Sequence, residues 1–379
     1  MPNTPQLRIV EFISEIPAHQ WNALVGNNPF LSHEFLRALQ ESGSATPETG
    51  WHARFPTLWQ DDVLIGAMPL YLKTHSWGEF VFDWAWAEAY QRHGLDYYPK
   101  LVCAVPFTPV AGSRLLAPTS QLRVQLLRVA LQLAREMGVS SLHCLFPIEA
   151  QTPLMQQESM MLRQGVQFHW RNPGYISFDD YLASMSHDKR KHIRQERRKV
   201  KEAGITFEHL TGHGITDVHW IFFERCYALT HQRYHSPQSL NLDFFRQVGA
   251  SMADGILLVR ALRDHQPIAC ALNFYHQDAL YGRSWGALEY HPGLHFDACY
   301  YQAIEFCIEH KISLFEGGAQ GEHKLSRGFL PETTWSAHWL AHPRFSLAVD
   351  DFLKREKLGM SHYLDELSER SPFKRLEST

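Results

Sequence analysis

Residues 264–277, DHQPIACALNFYHQ, have a counterpart in the first half of the chain, residues 61–73, DDVLIGAMPLYLK. Each opens on a polar, turn-forming pair. Each continues with isoleucine and a run of slender residues (Ile268-Ala269-Cys270-Ala271 and Ile65-Gly66-Ala67-Met68) before a β-rich stretch. Such a run behind a turn signal reads as the second arm of a hairpin. In both halves a helix and a short apolar strand follow. QLRVQLLRVALQLAREMG (121–138) sets Leu122, Leu126, Val129, Leu133 and Met137 on one helical stripe and leads into SSLHCLF. DACYYQAIEFCIEHK (297–311) does the same with Tyr300, Ala303, Ile304, Cys307 and Ile308 and leads into ISLFEGG. The order hairpin, helix, strand occurring twice predicts an α/β (α+β) chain of two similar domains, each a mixed, mostly antiparallel sheet flanked by helices. The turn-rich seam HWRNPGYISFDDY places the boundary near residue 178, giving domains 1–178 and 179–379.

Composition agrees with two folded domains: 379 residues, 45% hydrophobic and 20% charged, can bury large cores and carry no disorder signature. The start, MPNTPQLRIVEFISEIP, has no basic segment followed by an apolar one, and no run of about 18 apolar residues occurs, so a cytoplasmic protein without a membrane span is expected. The six cysteines lack CxxC spacing and read as reduced packing residues. Between Trp77 and Phe107, nine of 31 residues are aromatic. This insertion, at about 75–118, has no counterpart in the second half. Asp83, Arg92, Asp96 and Lys100 interrupt it, so part of it is expected to face a cavity, with Lys100 as a ligand-binding candidate. Phe345 to about Leu367 reads as an amphipathic helix.

The formal charge of −4 hides an asymmetry. Lys189–Lys201, KRKHIRQERRKVK, carries +7, which leaves −11 on the remainder. On a helix Arg190, Arg194, Arg197 and Lys201 form one cationic stripe, while Ile193 and Val200 anchor the other face. Guanidinium forks suit phosphate oxygens; the alternative is a solvated helix face. The i, i+4 pairs His231/His235 and His291/His295 lack a third ligand or an HExxH context, so no metal site is expected. GxxxxGK[ST] and GxGxxG are missing, which weakens kinase and dehydrogenase readings together.

FEGGAQGEHKLSRGFLP (315–331) sets Glu316, Gln320, Glu322, His323, Lys324 and Arg327 among four glycines at the end of a predicted strand. Loops at strand ends are where α/β sheets build sites. A surface loop with self-paired charges is the alternative.

These residues resemble a known pattern. The second half is similar in strand order to the catalytic half of the GNAT acyltransferase superfamily, and more closely to Fem-type aminoacyl transferases. KRKHIRQERRKVKEAGITFEHL resembles the Fem basic segment, and EHKLSRGFLP the Fem lysine and glycine-phenylalanine segment. With NPFLSHEFLRALQESGSA, YLKTHSWGEFVFDWAWAEAYQRHGLDYYPKL and PFTPVAGSRLL, the chain is identified as a member of the FemAB-like proteins of peptidoglycan biosynthesis or recognition. The resemblance implies two tandem GNAT-like domains and transfer of an acyl or aminoacyl group to an amine, with a cell-wall precursor as acceptor. A recognition protein that binds a peptidoglycan fragment or phosphorylated ligand without turnover, and an RNA-binding protein using the basic helix, are the other readings. The donor would be acyl-CoA or aminoacyl-tRNA, with no tightly bound cofactor. EYHPGLHFDAC, where a CoA enzyme carries its glycine-rich pyrophosphate loop, has one glycine and a proline, which turns the expectation toward aminoacyl-tRNA. Lys324 matches the lysine thought to assist the charged transition state, and Arg190 and Arg194 the segment associated with phosphates.

Amine acylation needs a base and a group that stabilises the developing oxyanion. Glu316 or Glu322, through His323, is the expected base and Lys324 the expected cation. Tyr301, off the apolar helix face, is the expected proton donor to the leaving group, and amides around Gly282–Gly286 would help hold the carbonyl. Gln320, Arg327 and Trp285 complete the expected binding residues.

Overall fold

The computed structural model describes residues 5–319 and 321–374. Two compact units emerge: residues 1–166 with 333–363, and residues 167–332 with 364–379. The division thus falls at Val166/Gln167 rather than near 178, inside a strand, and the end of the chain is shared between the units.

In the first unit β1 (Gln6–Val10), β3 (Phe55–Gln60) and β4 (Val63–Ala67) form a three-stranded antiparallel sheet, with β2 (Trp51–Ala53) between β1 and β3 in sequence. The β3–β4 turn holds Asp61 and Asp62 at φ 49° and 61°, the paired left-handed geometry of a tight hairpin. DDVLIGAMPLYLK is not one strand. It breaks at Met68-Pro69, and β5 (Leu70–Lys73) pairs with β2 and with β6 (Lys100–Cys103) in a second sheet. Proline lacks the N–H that a continuous ladder needs. β7 (Ser141–Leu145) lies parallel to β6.

The helix Ser120–Glu136 covers this sheet with Leu126, Leu127, Ala130, Leu131 and Ala134. That stripe is rotated from the expected one. Leu122 and Leu133 pack at its edge, and Met137 is exposed. Small alanines allow close approach to the sheet, a packing term that apolar periodicity alone does not weigh.

β8 (Met161–Arg171) carries the chain into the second unit, where the strand order is β8, β13 (Leu314–Glu316), β12 (Ala279–Ala287), β11 (Gln266–His276), β10 (Ile256–Arg263), β9 (Ile205–Thr211). The β10–β11 turn repeats the hairpin geometry, with Asp264 and His265 at φ 50° and 62°. Here DHQPIACALNFYHQ does run on as one strand, because Pro267 falls at its start beside a register shift. The helix Asp217–Arg233 packs on one face of β12. A Cβ at Gly286 would lie 2.0 Å from the Cys226 carbonyl oxygen, so only glycine admits this approach. On the other face Ala269, Ala287, Leu294 and Val200 form a core with the helix His187–Glu202. β14 (Leu330–Leu340) closes the strand set, and its Ser336–Leu340 pair with β7 in the first unit. The helix Pro343–Glu369 follows, as the sequence predicts.

Five cysteines are buried and Cys299 is half-buried; all six are free thiols. Among the described residues no helix is long and apolar enough to cross a membrane, and no group of three His, Cys, Asp or Glu is placed to share a metal ion.

Candidate functional site

β12 and β13 run parallel for three residues only, Ala279–Tyr281 against Leu314–Glu316. Beyond Tyr281, among the described residues, no strand pairs with that side of β12. The register with β11 shifts at the same point: Asn273 faces Gly282 and Leu272 faces Ser284, so Arg283 is the extra residue of a β-bulge. Bulges re-aim side chains where pairing ends. The result is an opening in the backbone pairing at the C-terminal end of β13, bordered by the edge of Gly282–Ala287.

Lys324 enters this opening from a short 3-10 helix, Glu322–Arg327. Its side chain is 2% exposed and its Nζ donates to the Gly318 carbonyl at 2.7 Å. Gly318 has φ 89°, and a Cβ there would meet the Gly282 oxygen at 3.7 Å and Lys324 Nζ at 3.9 Å, which fixes the ammonium beside the free edge of β12. Burial pushes this lysine down to about 8. Glu316, the last residue of β13, is also buried. Desolvation raises its carboxyl to about 8, against the opposing pull of Arg283. His169 Nε2 lies 3.9 Å from its Oε2. A buried carboxyl raised to about 8 at the end of β13 and a buried amine lowered to about 8 in the segment that follows are groups of the kind that proton transfer and charge stabilisation use.

The other predicted residues divide into groups. His323 has an exposed ring with Nε2 3.1 Å from the Tyr300 hydroxyl, and burial with nearby Arg327 and Lys324 keeps the imidazole neutral at lower pH than usual. Glu322 points to the surface, where Arg370 donates to it at 3.1 Å. Arg327 is buried and engaged: it donates to Glu196 Oε1 at 2.5 Å and to the His323 carbonyl at 2.7 Å, with its guanidinium 3.5 Å from the Phe296 ring centre. Trp285 is half-buried with its ring 5.4 Å from His295. Gln320 lies outside the described residues.

Tyr301 is not off the apolar face. It is fully buried and its hydroxyl donates to Glu196 Oε2. The reason is a π-helical turn, Asp297–Tyr301, between Leu294–Phe296 and Gln302–Glu309. The wider turn adds a residue to the helical repeat, so a count in steps of three and four assigns the wrong face. Burial and the Glu196 charge push its phenol well above the ordinary range, which makes it a poor proton donor.

Lys100 belongs to the first unit and is fully buried. Its ammonium donates to Glu79 Oε2 at 2.8 Å, to Ser76 at 2.8 Å and to Asp83. Every part of that charge is committed to the fold. Of its companions in the insertion, Asp83 is buried with it, whereas Arg92 and Asp96 are exposed.

The predicted cationic stripe is split. Arg197 turns inward to Glu305 at 2.7 Å and Asp297 at 3.5 Å. Arg190, Lys191, Arg194 and Arg198 line a surface hollow of about 430 Å³ together with His187 and Gln195. Arg194 also meets Asp179 at 3.3 Å, an exposed pair worth little. The Gly293 turn is closely packed. A Cβ at Gly293 would sit 3.2 Å from the Glu196 carbonyl oxygen and 3.4 Å from Val200, so the basic helix packs directly on it.

Sequence reasoning missed Glu196, Arg283, His169 and His295. Glu196 had a signal, the single acid inside the basic run. The other three are brought in by pairing, a bulge and a π turn, none of which has a local pattern.

A family model described as peptidoglycan biosynthesis/recognition, FemAB-like, matches residues 12–375. No curated protein sequence matches. Among solved structures, L-PGS from Bacillus licheniformis aligns with a TM-score of 0.55 over 89% of this chain and 97% of that one, at 11% identity. FemX aligns at 0.54 over 88% and 98%, at 10% identity. A tandem GNAT protein from the clavulanic acid biosynthesis pathway aligns at 0.47 over 89% and 99%, at 12% identity. At these identities the likeness to L-PGS and FemX is one of fold.

Proposed function

Because the chain belongs to the FemAB-like family of peptidoglycan biosynthesis/recognition proteins, we propose that it is an N-acyltransferase that moves an acyl or aminoacyl group to an amine at the end of β13. The observation that carries this reading is Lys324, a buried lysine of lowered pKa hydrogen-bonded to Gly318 beside the unpaired edge of β12.

The acceptor nitrogen attacks the donor carbonyl carbon, a C–N bond forms and the donor ester C–O bond breaks. Glu316 in its carboxylate form takes the proton that the amine loses. Lys324 in its charged form, with backbone amides of Gly282–Gly286, stabilises the oxyanion. The proton then held by Glu316 is the one returned to the leaving oxygen, since the Tyr301 hydroxyl is sealed against Glu196.

The donor we favour is aminoacyl-tRNA, since the Gly293 turn is packed against the basic helix while Arg190, Lys191, Arg194 and Arg198 offer phosphate contacts. The acceptor would be an amine of a cell-wall precursor.

Purified protein incubated with panels of acyl-CoAs, aminoacyl-tRNAs and amines tests this. Product is expected with the wild type, and Lys324→Ala is expected to lose about 10²–10³-fold in rate, the usual cost of removing an oxyanion donor. If no pair gives product while a peptidoglycan fragment raises the melting temperature, the protein recognises that fragment without turning it over.

A further inference from the structure

Five rings form one continuous surface beside Lys324. The π turn brings His295 and Tyr300, five apart in sequence, to 5.7 Å between ring centres. Phe296 and His323 each join them, at 5.7 Å from one another and at 6.3 and 5.9 Å from Tyr300. Trp285, on the stretch of β12 that pairs with β11 but not with β13, extends the surface through His295. Tyr300 is buried beneath the others, but Trp285, His295 and Phe296 are half-buried and His323 is exposed, so the cluster is not a closed core.

Its charge is one-sided. Lys324 and Arg327 are the cations at its border, the latter stacked on Phe296. Glu196, the acid that meets Arg327, is also engaged by His192 and Tyr301. His295, pushed down to about 4 by burial and by those cations, adds an uncharged ring at neutral pH.

We propose that this ring surface is the acyl-side-chain subsite of the opening, and that it selects an uncharged, bulky side chain, aromatic or branched apolar, over a small or cationic one. A ring or branched chain gains contact area against Trp285 and His295, whereas a lysyl-type side chain would place a third cation beside Lys324 and Arg327, with Glu196 already bonded to Arg327. The inference rests on the transferase reading for the word acyl, but the binding preference stands independently of turnover.

The test is a ligand-observed NMR titration of the full chain with N-acetyl-phenylalaninamide, N-acetyl-glycinamide and N-acetyl-lysinamide. The phenylalanine probe is expected to bind about tenfold or more tightly than the other two. Trp285→Ala is expected to erase most of that ratio and Trp285→Phe to restore it. Should Trp285→Ala fail to fold, His295→Ala reads the same loss. Equal affinities, or preference for the lysine probe, overturn the proposal, as does a ratio that survives both alanine variants. Phenylalanine selectivity without turnover on any donor sinks only the transferase reading; turnover that prefers glycyl or lysyl donors sinks only this subsite.

Discussion

Each unit contains a parallel strand pair three residues long, β6 with β7 and β12 with β13, and the two pairs end differently. After Cys103 the chain folds back and refills the space. Gly112 bridges Pro147, its N–H donates to the Phe146 carbonyl at 3.0 Å, and Arg114 fills what is left. That guanidinium is fully buried and donates to the carbonyls of Leu145 and Val110. After Tyr281, among the described residues, nothing equivalent returns, and Lys324 stands beside the free edge and donates to the Gly318 carbonyl.

The lysines teach the same lesson. Lys100, with two carboxylates, is held above the ordinary lysine range. Lys73 is pushed down to about 7, yet it is sealed over the Trp51 ring at 3.7 Å between paired strands. A lowered pKa alone therefore marks no site. Only Lys324 among these three combines a lowered pKa with an unpaired strand edge, and the proposed chemistry rests on that combination.

The comparison can be broken at its strongest point first. Lys100→Ala leaves Glu79 and Asp83 buried without their cation, and a loss of roughly 3–5 kcal/mol is expected in denaturant unfolding. If instead it folds normally and only weakens substrate binding, Lys100 is a ligand residue and the first unit is not closed.

A second test concerns pH. Glu316 gains its base form as pH rises through about 8, and Lys324 loses its charge over the same range, so kcat is expected to follow a narrow bell centred near pH 8. Glu316→Gln should remove the rising limb.

The same carboxyl makes a stability prediction. Its folded pKa is raised from 4.5 to about 8, so the native state holds a proton that the unfolded chain releases, and wild-type stability falls as pH rises through that window. Glu316→Gln should gain on the wild type between about pH 5 and pH 8 and stay level above. A constant difference across that range would place the carboxyl in solvent.

The smallest effect is expected from Gly318→Ala. Strain at φ 89° costs about 1 kcal/mol and shifts the acceptor of Lys324, which should reduce turnover several-fold with little change in donor affinity.

Much of this was legible in the sequence. The repeated hairpin, helix and strand, with their turn pairs Asp61-Asp62 and Asp264-His265, gave the class and the two-fold organisation because local propensity and apolar periodicity act within a few residues. Glu316 and Lys324 could be singled out because buried charge among glycines is unusual in an apolar stretch. What failed did so where long-range geometry decides. A π turn rotated Tyr301 inward, the inner face of the basic helix claimed Arg197 for Glu305, and carboxylates within the insertion claimed Lys100. None of these follows from spacing along the chain.

The central claim is that chemistry occurs at the unpaired edge in the second unit and not at its filled counterpart in the first. Single-turnover amide formation by Lys324→Ala and Arg114→Ala, each normalised to folded protein, measures it most directly. The account predicts that Lys324→Ala loses at least about a hundredfold while the folded fraction of Arg114→Ala reacts at the wild-type rate. A folded Arg114→Ala that is inactive beside an active Lys324→Ala would contradict it.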